Sequence, residues 1–257
     1  MKYLPTILLL SILCMSCEEP PDGTGVPVEL IKIEYDDSRL TNVERKYYWE
    51  EAYRQSINHL IDNDIPLKNE IELANEYVDQ FYSALVSVFN SDFAERDLVI
   101  DTFKIKPFRD VHPYRFVIFA TEDIEWVKKW KNGNKQYIID QINPFINQYE
   151  FDLFYVREWY SGAVHLTFES TVLINIEAFT NFLEKQGVWG YIFPYTYSGD
   201  GDDITILFSD FFIIKFKLGW GDCLAGCTAT HYWEFIVDFN GKVEFLKSYG
   251  SPLSTYR

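Results

Sequence analysis

The order of strand-like and helix-like stretches between Arg115 and Thr196 is the feature that most constrains the fold. A continuous apolar run opens this region and is typical of a buried strand. Further on, Ser161-Gly162 has the composition of a hairpin turn between two strands. Periodicity and turn residues predict strands at Arg115–Ala120, Phe151–Trp159, Ala163–Ser170 and Val188–Thr196, and helices at Glu122–Lys131, Gln136–Gln148 and Asn175–Gln186. Taken together, the order is β-α-β-β-α-β.

A β-α-β-β-α-β order is that of the split βαβ, ferredoxin-like sandwich. The stretch before it favours a pair of helices. Thr41 and Glu44 have capping-box spacing at the start of the first helix, which extends to about Ile61. The second helix, about Glu70–Asn90, places apolar residues on one i, i+4 stripe: Leu73, Tyr77, Phe81, Leu85 and Phe89.

The stretch after the sandwich favours β structure alone. Strands are predicted at Ile204–Phe208, Phe211–Leu218, His231–Phe239 and Lys242–Ser248. Asn240-Gly241, between the last two, is the dipeptide that type I′ hairpin turns prefer. Alternation predicts two further strands at Val26–Tyr35 and Leu98–Lys106. The predicted fold class is therefore α+β, with an N-terminal helical pair, a central ferredoxin-like sandwich and C-terminal antiparallel strands.

The N-terminus has the composition of an export signal. Lys2 precedes a short apolar run, Leu4–Leu13, which is too short to span a bilayer as a mature helix. The next residues, Cys14-Met15-Ser16-Cys17, resemble the cleavage site of bacterial lipoprotein signal peptides, and the resemblance covers the first 17 residues. It implies that Cys17 becomes the N-terminal residue and carries lipid. Cys14 stands where that family usually has Leu, and a secretory peptide cut without lipidation is the alternative.

The residues after Cys17 predict a tether followed by one globular domain. Acidic, Pro and Gly residues dominate 18–25 and cannot bury an apolar face. The two carboxylates directly after the cysteine also resemble the acidic export signals of some surface-exposed lipoproteins. We predict a signal peptide at 1–16, a lipid-anchored tether at 17–26 and a single α+β domain at 27–257, with a helical part at 41–90, a mixed part at 97–196 and a β part at 203–249. The predicted location is that of a membrane-anchored lipoprotein of the outer membrane, cell surface or periplasm.

Cys223 and Cys227 remain once the leader is removed and Cys17 is lipidated. An even pair in an oxidising compartment favours a disulfide, which would pin a Gly-rich loop against the strand that begins at His231. Zinc is an alternative because Cys-x3-Cys-x3-His offers three ligands, with Asp222 or another His as the fourth. A catalytic Cys-His pair is a further alternative, although it leaves the second cysteine without a role.

The same stretch carries a dense pattern of Trp, Gly, Asp, Cys and His between Trp220 and Trp233. It resembles a C-terminal signature, WGDCxxGCxxxHYW, of uncharacterised secreted or lipid-anchored bacterial proteins. The resemblance extends upstream through the helix at Tyr82–Asn90 and the loop at Gly199–Ile204. It implies a family-specific module and no particular chemistry.

The acidic loop Gly199–Asp203 is the second candidate site. Asp200, Asp202 and Asp203 could hold a hard cation such as Ca²⁺, which prefers several oxygen ligands, and Asp210 could add another. A solvated acidic turn explains the same residues. The sequence contains no catalytic signature such as Gly-x-Ser-x-Gly or His-Glu-x-x-His. No cofactor is therefore predicted, with calcium or zinc as the alternatives.

Composition narrows the class of partner. The net charge of −16 disfavours nucleic acid, whose phosphates repel an acidic chain. Aromatic residues make up 18% of the chain, which favours a packed β-rich core or, alternatively, an exposed aromatic platform for a sugar or peptide. We predict a non-enzymatic binding module with an unknown protein or glycan ligand, held at the membrane by its N-terminal lipid. A metal-dependent hydrolase built on Cys223, Cys227 and His231 or on Asp200–Asp203, and an inhibitor or immunity-type partner of a secreted protein, are the alternatives.

Overall fold

The computed structural model describes residues 30–107, 111–132, 143–187 and 190–256. The helices are α1 (Asn42–Asp62), α2 (Asn75–Asn90), α3 (Ala94–Arg96), α4 (Glu125–Lys131), α5 (Asn143–Gln148) and α6 (Ile176–Lys185). The strands are β1 (Arg115–Ala120), β2 (Phe151–Glu158), β3 (Val164–Ser170), β4 (Tyr191–Pro194), β5 (Asp203–Phe208), β6 (Phe212–Trp220), β7 (Ala229–Val237) and β8 (Val243–Gly250). Within these ranges, none of the helices has the length and apolar character needed to cross a membrane. The predicted signal peptide and tether, with Cys17, lie outside the described residues.

The fold is α+β, as the sequence predicts: a helix pair, then two antiparallel four-stranded sheets with interspersed helices. The central sheet has the strand order β2-β3-β1-β4, and every neighbouring pair is antiparallel. With helices between β1 and β2 and between β3 and β4, this is the arrangement of a ferredoxin-like sandwich. One face of the sheet and the helices α4, α5 and α6 share a hydrophobic core, whose aromatic members include Phe116, Phe151, Phe168, Trp126 and Phe179. The helices therefore cover one face of this sheet.

The C-terminal sheet has the strand order β5-β6-β7-β8 and packs its apolar face on α1 and α2. Thr41 and Glu44 form the capping box that the sequence predicts at the start of α1. Alternation along β6 and β7 directs one set of side chains into this second core: Phe212, Ile214, Phe216, Leu218, Trp233, Phe235 and Val237. β7 and β8 pair across Asn240-Gly241, and Gly241 has a φ of 78°, which glycine adopts without strain.

A buried polar network joins α1 to β5. The Arg54 guanidinium donates to Glu51 (2.7 Å), to Asp203 (3.0 Å) and to the carbonyl of Ile204 (2.8 Å). The Gln55 amide donates to Glu51 and accepts from a backbone amide of β5. Burial acts to lower the pKa of Arg54, but the carboxylates of Glu51 and Asp203 outweigh it and raise the pKa above its ordinary value. The network fixes the start of β5 against the first helix.

Two predicted strands are wrong. Residues 30–35 of the first form neither helix nor strand, and 26–29 lie outside the described residues. The alternating residues of this stretch pack against the helices without pairing as a strand. Ile33 is buried in the helix–sheet core, and the Tyr35 hydroxyl donates to Asp79 at 2.8 Å. The second, Leu98–Lys106, begins instead as a π-helix at Asp97–Thr102.

Tertiary packing explains the helical turn at that second site. Arg96 donates to the carbonyl of Phe89 (2.8 Å), and its guanidinium lies 4.8 Å from the Phe89 ring centre. Val99, one turn later, is fully buried in the helix–sheet core. These contacts hold the segment as a helical turn against the end of α2. They outweigh the strand preference of a short alternating sequence.

Candidate functional site

The loop between β6 and β7 is closed by a disulfide between Cys223 and Cys227. The two strands pair as far as Trp220 and Ala229, so the bridge closes a short loop at their end. A Cβ at Gly219 would lie 2.6 Å from the Cys227 sulfur, which explains why glycine occupies that position. Because both sulfurs are bridged, neither is a thiolate that could bind zinc or attack a substrate.

The acidic loop lies against this disulfide loop. The backbone amide of Asp200 donates to the carbonyl of Cys223 at 2.7 Å, and its carboxylate pairs with Lys217. The hydrogen bond from Lys217 holds the pKa of Asp200 below its ordinary value. Asp200 therefore serves here as an ionised anchor between the loop and β6.

The other acidic side chains have different partners. Asp202 accepts from the amide of Gly219 at 2.9 Å, and burial raises its pKa. Asp203 pairs with Arg54, and Asp210 lies at the opposite end of the β5–β6 hairpin. Among the residues that the structure describes, no group of three or more His, Cys, Asp or Glu side chains is placed to hold a metal ion. The carboxylates of this loop tie it to its neighbours at separate points.

His231 lies on β7, opposite Leu218 on one side and Gly250 on the other. Its Nδ1 is 2.8 Å from the carbonyl of Ser251, and its Nε2 is 2.6 Å from the hydroxyl of Ser248. Since a carbonyl only accepts, Nδ1 donates to Ser251, while Nε2 and the Ser248 hydroxyl form the second hydrogen bond. Both ring nitrogens are thus engaged in holding β7, β8 and the chain after β8 together.

The face of the central sheet opposite its helices presents a different chemistry. Directly paired residues of an antiparallel sheet share a face, so the strand register defines rows across it. From β2 to β4 these rows are Asp152, Glu169 and Arg115; Tyr155, Thr167, Val117 and Phe193; and Arg157, His165, Phe119 and Tyr191. A β-bulge between Leu153 and Tyr155 adds Phe154, whose ring centre lies 4.6 Å from the Arg115 guanidinium. We name these twelve residues the open face.

Four of the five Phe and Tyr rings of the open face are exposed, and that of Phe119 is half-buried. Tyr191 is 74% and Phe154 is 60% exposed, and Tyr155 and Phe193 are each exposed by more than two fifths. The ring of Trp159, just after β2, is exposed, and the Arg157 guanidinium lies 4.1 Å from its centre in a cation–π contact. Large exposed apolar patches are uncommon on soluble proteins and mark binding surfaces. The aromatic residues of this chain therefore do both things that its composition suggests: some fill the two cores, and others lie exposed on one sheet face.

Polar side chains lie among these rings. Arg115 pairs with Glu169 at 2.9 Å. Three buried atoms nevertheless have no hydrogen-bond partner within the described structure: Oγ1 of Thr167, Nε2 of His165 and Nε of Arg115. Burial, and then the charge of Arg157, lower the pKa of His165, so its ring is neutral at pH 7. Unsatisfied buried polar atoms are costly in native proteins, and these three share the open face, while others, on Tyr77 and Gln80, lie on α2.

A cleft of about 530 Å³ adjoins the open face. It lies between the first two helices and the ends of β1 and β3, and is lined by Lys46, Trp49, Glu50, Tyr53, Asn75, Tyr114, Glu169, Ser170, Thr171 and Leu173. Glu169 belongs to both the cleft and the open face. The volume falls within the range of small-molecule sites, roughly 300–1,000 Å³. Its two walls come from distant parts of the chain, so no local sequence pattern could have located it.

The comparisons with known proteins add no family to this geometry. No protein-family model, curated protein or solved structure matches the chain. The function is therefore inferred from the arrangement of this chain's own residues.

The candidate residues predicted from the sequence lie in the disulfide and acidic loops, and none of them lies on the open face. One signal was available, since Tyr155, Arg157 and Trp159 alternate along one stretch. Their partners on β3 and β4 could not be assigned before the register and the bulge were known.

Proposed function

We propose that this protein is an exported lipoprotein, anchored through lipid on Cys17, whose folded part is a non-enzymatic binding module. The observation that carries the proposal is the open face, where exposed rings on the two edge strands flank buried, unsatisfied polar atoms on the strands between them. The leader supports the anchor, since its apolar run is followed within four residues by Cys17, and Cys17 is followed by acidic residues. The ligand would lie across the open face, with the adjoining cleft accommodating part of it.

Physical arguments favour binding at such a surface. Tyr, Trp and Arg are enriched among the residues that contribute most to binding energy. Rings mounted on a sheet lose little conformational freedom when a ligand covers them, so less of the interaction energy is lost to ordering. The hydrolase alternative has less support, because Cys223 and Cys227 are bridged and the acidic side chains have separate partners.

The anchor is tested by metabolic labelling with a radioactive fatty acid in the producing bacterium. We expect Cys17→Ser to abolish both the label and fractionation with membranes. Cys14→Ser is the matched control, since it removes the other leader cysteine, and should keep both. Label retained by the Cys17 variant would refute the anchor.

The binding surface is tested by hydroxyl-radical footprinting, which oxidises exposed aromatic side chains. Anchored protein on producing cells is compared with purified full-length protein. We expect slower oxidation of Tyr191 and Phe154 on cells, because the ligand covers them. Tyr249 and Tyr256, exposed on the C-terminal sheet and on the chain after it, are controls and should react equally in both samples. Equal oxidation of all four rings in both samples would sink the proposal.

A further inference from the structure

We infer that the open face binds a neutral carbohydrate, whose sugar rings stack on the exposed aromatic side chains while its hydroxyl groups bond the polar atoms between them. The inference rests on the proposed function, because it names the class of ligand that the open face takes. Four observations lead to it: the rings, the unsatisfied atoms, the local charge and the shape of the sheet edge.

The rings match the apolar part of a sugar. A pyranose has C–H groups on its flat faces and hydroxyl groups around its rim. The C–H faces pack on aromatic rings, and the rim needs hydrogen-bond partners beside those rings. Phe154 and Tyr155 lie on β2 and Phe193 and Tyr191 on β4, so the rings flank the sheet on both edges. Trp159, stacked with Arg157, extends this platform beyond the end of β2.

The unsatisfied atoms match the hydroxyl rim. Thr167 is only 1% exposed and lies in the middle row, between Tyr155 and Val117. Its hydroxyl and the neutral ring of His165 can each donate or accept, and Nε of Arg115 donates. Hydroxyl groups satisfy all three, whereas an apolar protein surface would bury them still unpaired. These atoms are buried in the free protein, so binding of the sugar requires the groups that cover them to move.

The local charge selects a neutral ligand. The open face carries Arg115 and Arg157 against Asp152 and Glu169, so its net charge is zero in a chain of −16. The surrounding negative field repels polyanions such as nucleic acids and uronate polymers. On the open face, Arg115 and Glu169 already pair with each other, so one positive and one negative charge are neutralised without a ligand.

The sheet edge disfavours the other class of ligand, a peptide added as a fifth strand. Peptide addition needs a regular edge whose amides and carbonyls continue the ladder. The edge strands of this sheet are β2 and β4: the bulge at Phe154 interrupts the register of β2, and β4 has only four residues and ends at Pro194. Bulges and charged side chains at edges are devices that prevent strand addition.

The test is isothermal titration of the full-length chain, purified in a detergent without a sugar headgroup. The probes are the neutral hexasaccharides of cellulose, laminarin, starch, mannan, xylan and chitin, with polygalacturonate as the anionic probe. We expect at least one neutral probe to bind, and Tyr155→Ala or Tyr191→Ala to weaken it about tenfold or more. Leu207→Ala and Leu246→Ala, at exposed positions of the C-terminal sheet, are the matched controls and should keep full affinity.

Thr167→Val separates binding from folding. Valine has the shape of threonine without the unsatisfied hydroxyl, so the midpoint of thermal unfolding should rise. Affinity for the sugar should nevertheless fall about tenfold, the factor expected for one lost hydrogen bond. A purely structural role for Thr167 would leave affinity unchanged.

Binding of no neutral probe at millimolar concentration, tighter binding of polygalacturonate, or unchanged affinity in the Thr167 variant would each overturn the inference. If the open face is protected on cells while no neutral probe binds, the carbohydrate class fails and the binding-module proposal stands. If neither protection nor binding is observed, both fail.

Discussion

Replacement of Glu51 by Gln tests the buried network that joins α1 to β5. Glu51 is fully buried, and its carboxylate accepts from Arg54 and from the amide of Gln55. Glutamine keeps the size of the side chain and one acceptor but removes the charge. The Arg54 side chain, 8% exposed, then faces Asp203 as its one charged partner within the network.

The expected loss is large because a buried charge is left without its partner. Removing one member of a buried pair costs about 3–5 kcal/mol. Asp203→Asn is the matched control, since that carboxylate is 32% exposed and bonds the same guanidinium. Its attraction is weakened by solvent, so we expect a loss of about 1 kcal/mol.

Urea unfolding followed by tryptophan fluorescence at pH 7 gives the free energy of unfolding of each variant. For a chain of this length, thermal midpoints should fall by roughly 2–4 °C per kcal/mol lost. If Glu51→Gln loses less than about 1 kcal/mol, or no more than Asp203→Asn, the network does not hold the helix to the sheet as described.

Three further predictions concern the disulfide and acidic loops. Replacing Cys223 and Cys227 together by Ser should lower the free energy of unfolding by about 2 kcal/mol, since the bridge closes a short loop, and urea unfolding should detect it. The depressed pKa of Asp200 contributes stability above about pH 4 that is lost as pH falls through its folded pKa, and Lys217→Met should weaken this dependence in thermal unfolding between pH 2 and 5. A variant as acid-sensitive as the original chain would contradict that assignment. Added Ca²⁺ should leave the thermal midpoint unchanged, because the carboxylates of the acidic loop have separate partners; a rise of several degrees would restore the calcium alternative.

Much of the fold follows from local patterns in the chain. Some signals depend on only a few neighbouring residues: the turn residues Ser161-Gly162 and Asn240-Gly241, and the continuous apolar run Arg115–Ala120. The strands that these signals predict are present. The order of strands and helices along the chain was enough to predict the ferredoxin-like sandwich, because few topologies are compatible with a β-α-β-β-α-β order. The π-helix at Asp97–Thr102 was not predictable, since it depends on contacts with the end of α2.

The candidate surface depends on information that a local pattern does not contain. Thr167 meets Val117 and Tyr155 through pairings between three strands, and a shift of one residue would send each side chain to the other face. The bulge that adds Phe154 has no composition signal in this stretch, because it contains neither Gly nor Pro. The disulfide was predicted from the expected oxidising compartment, and the bridge between Cys223 and Cys227 is present.

The most direct test of the open face is photo-cross-linking of the full-length, anchored protein in producing cells. A benzophenone amino acid is placed at Tyr191 or Phe154 and, as controls, at Leu207 or Leu246 of the C-terminal sheet, all four being exposed. Benzophenone inserts into C–H bonds, so it captures sugars and proteins alike. The account predicts covalent adducts from the two open-face positions and none from the controls. Adducts from the control positions alone, or from none of the four, would contradict it.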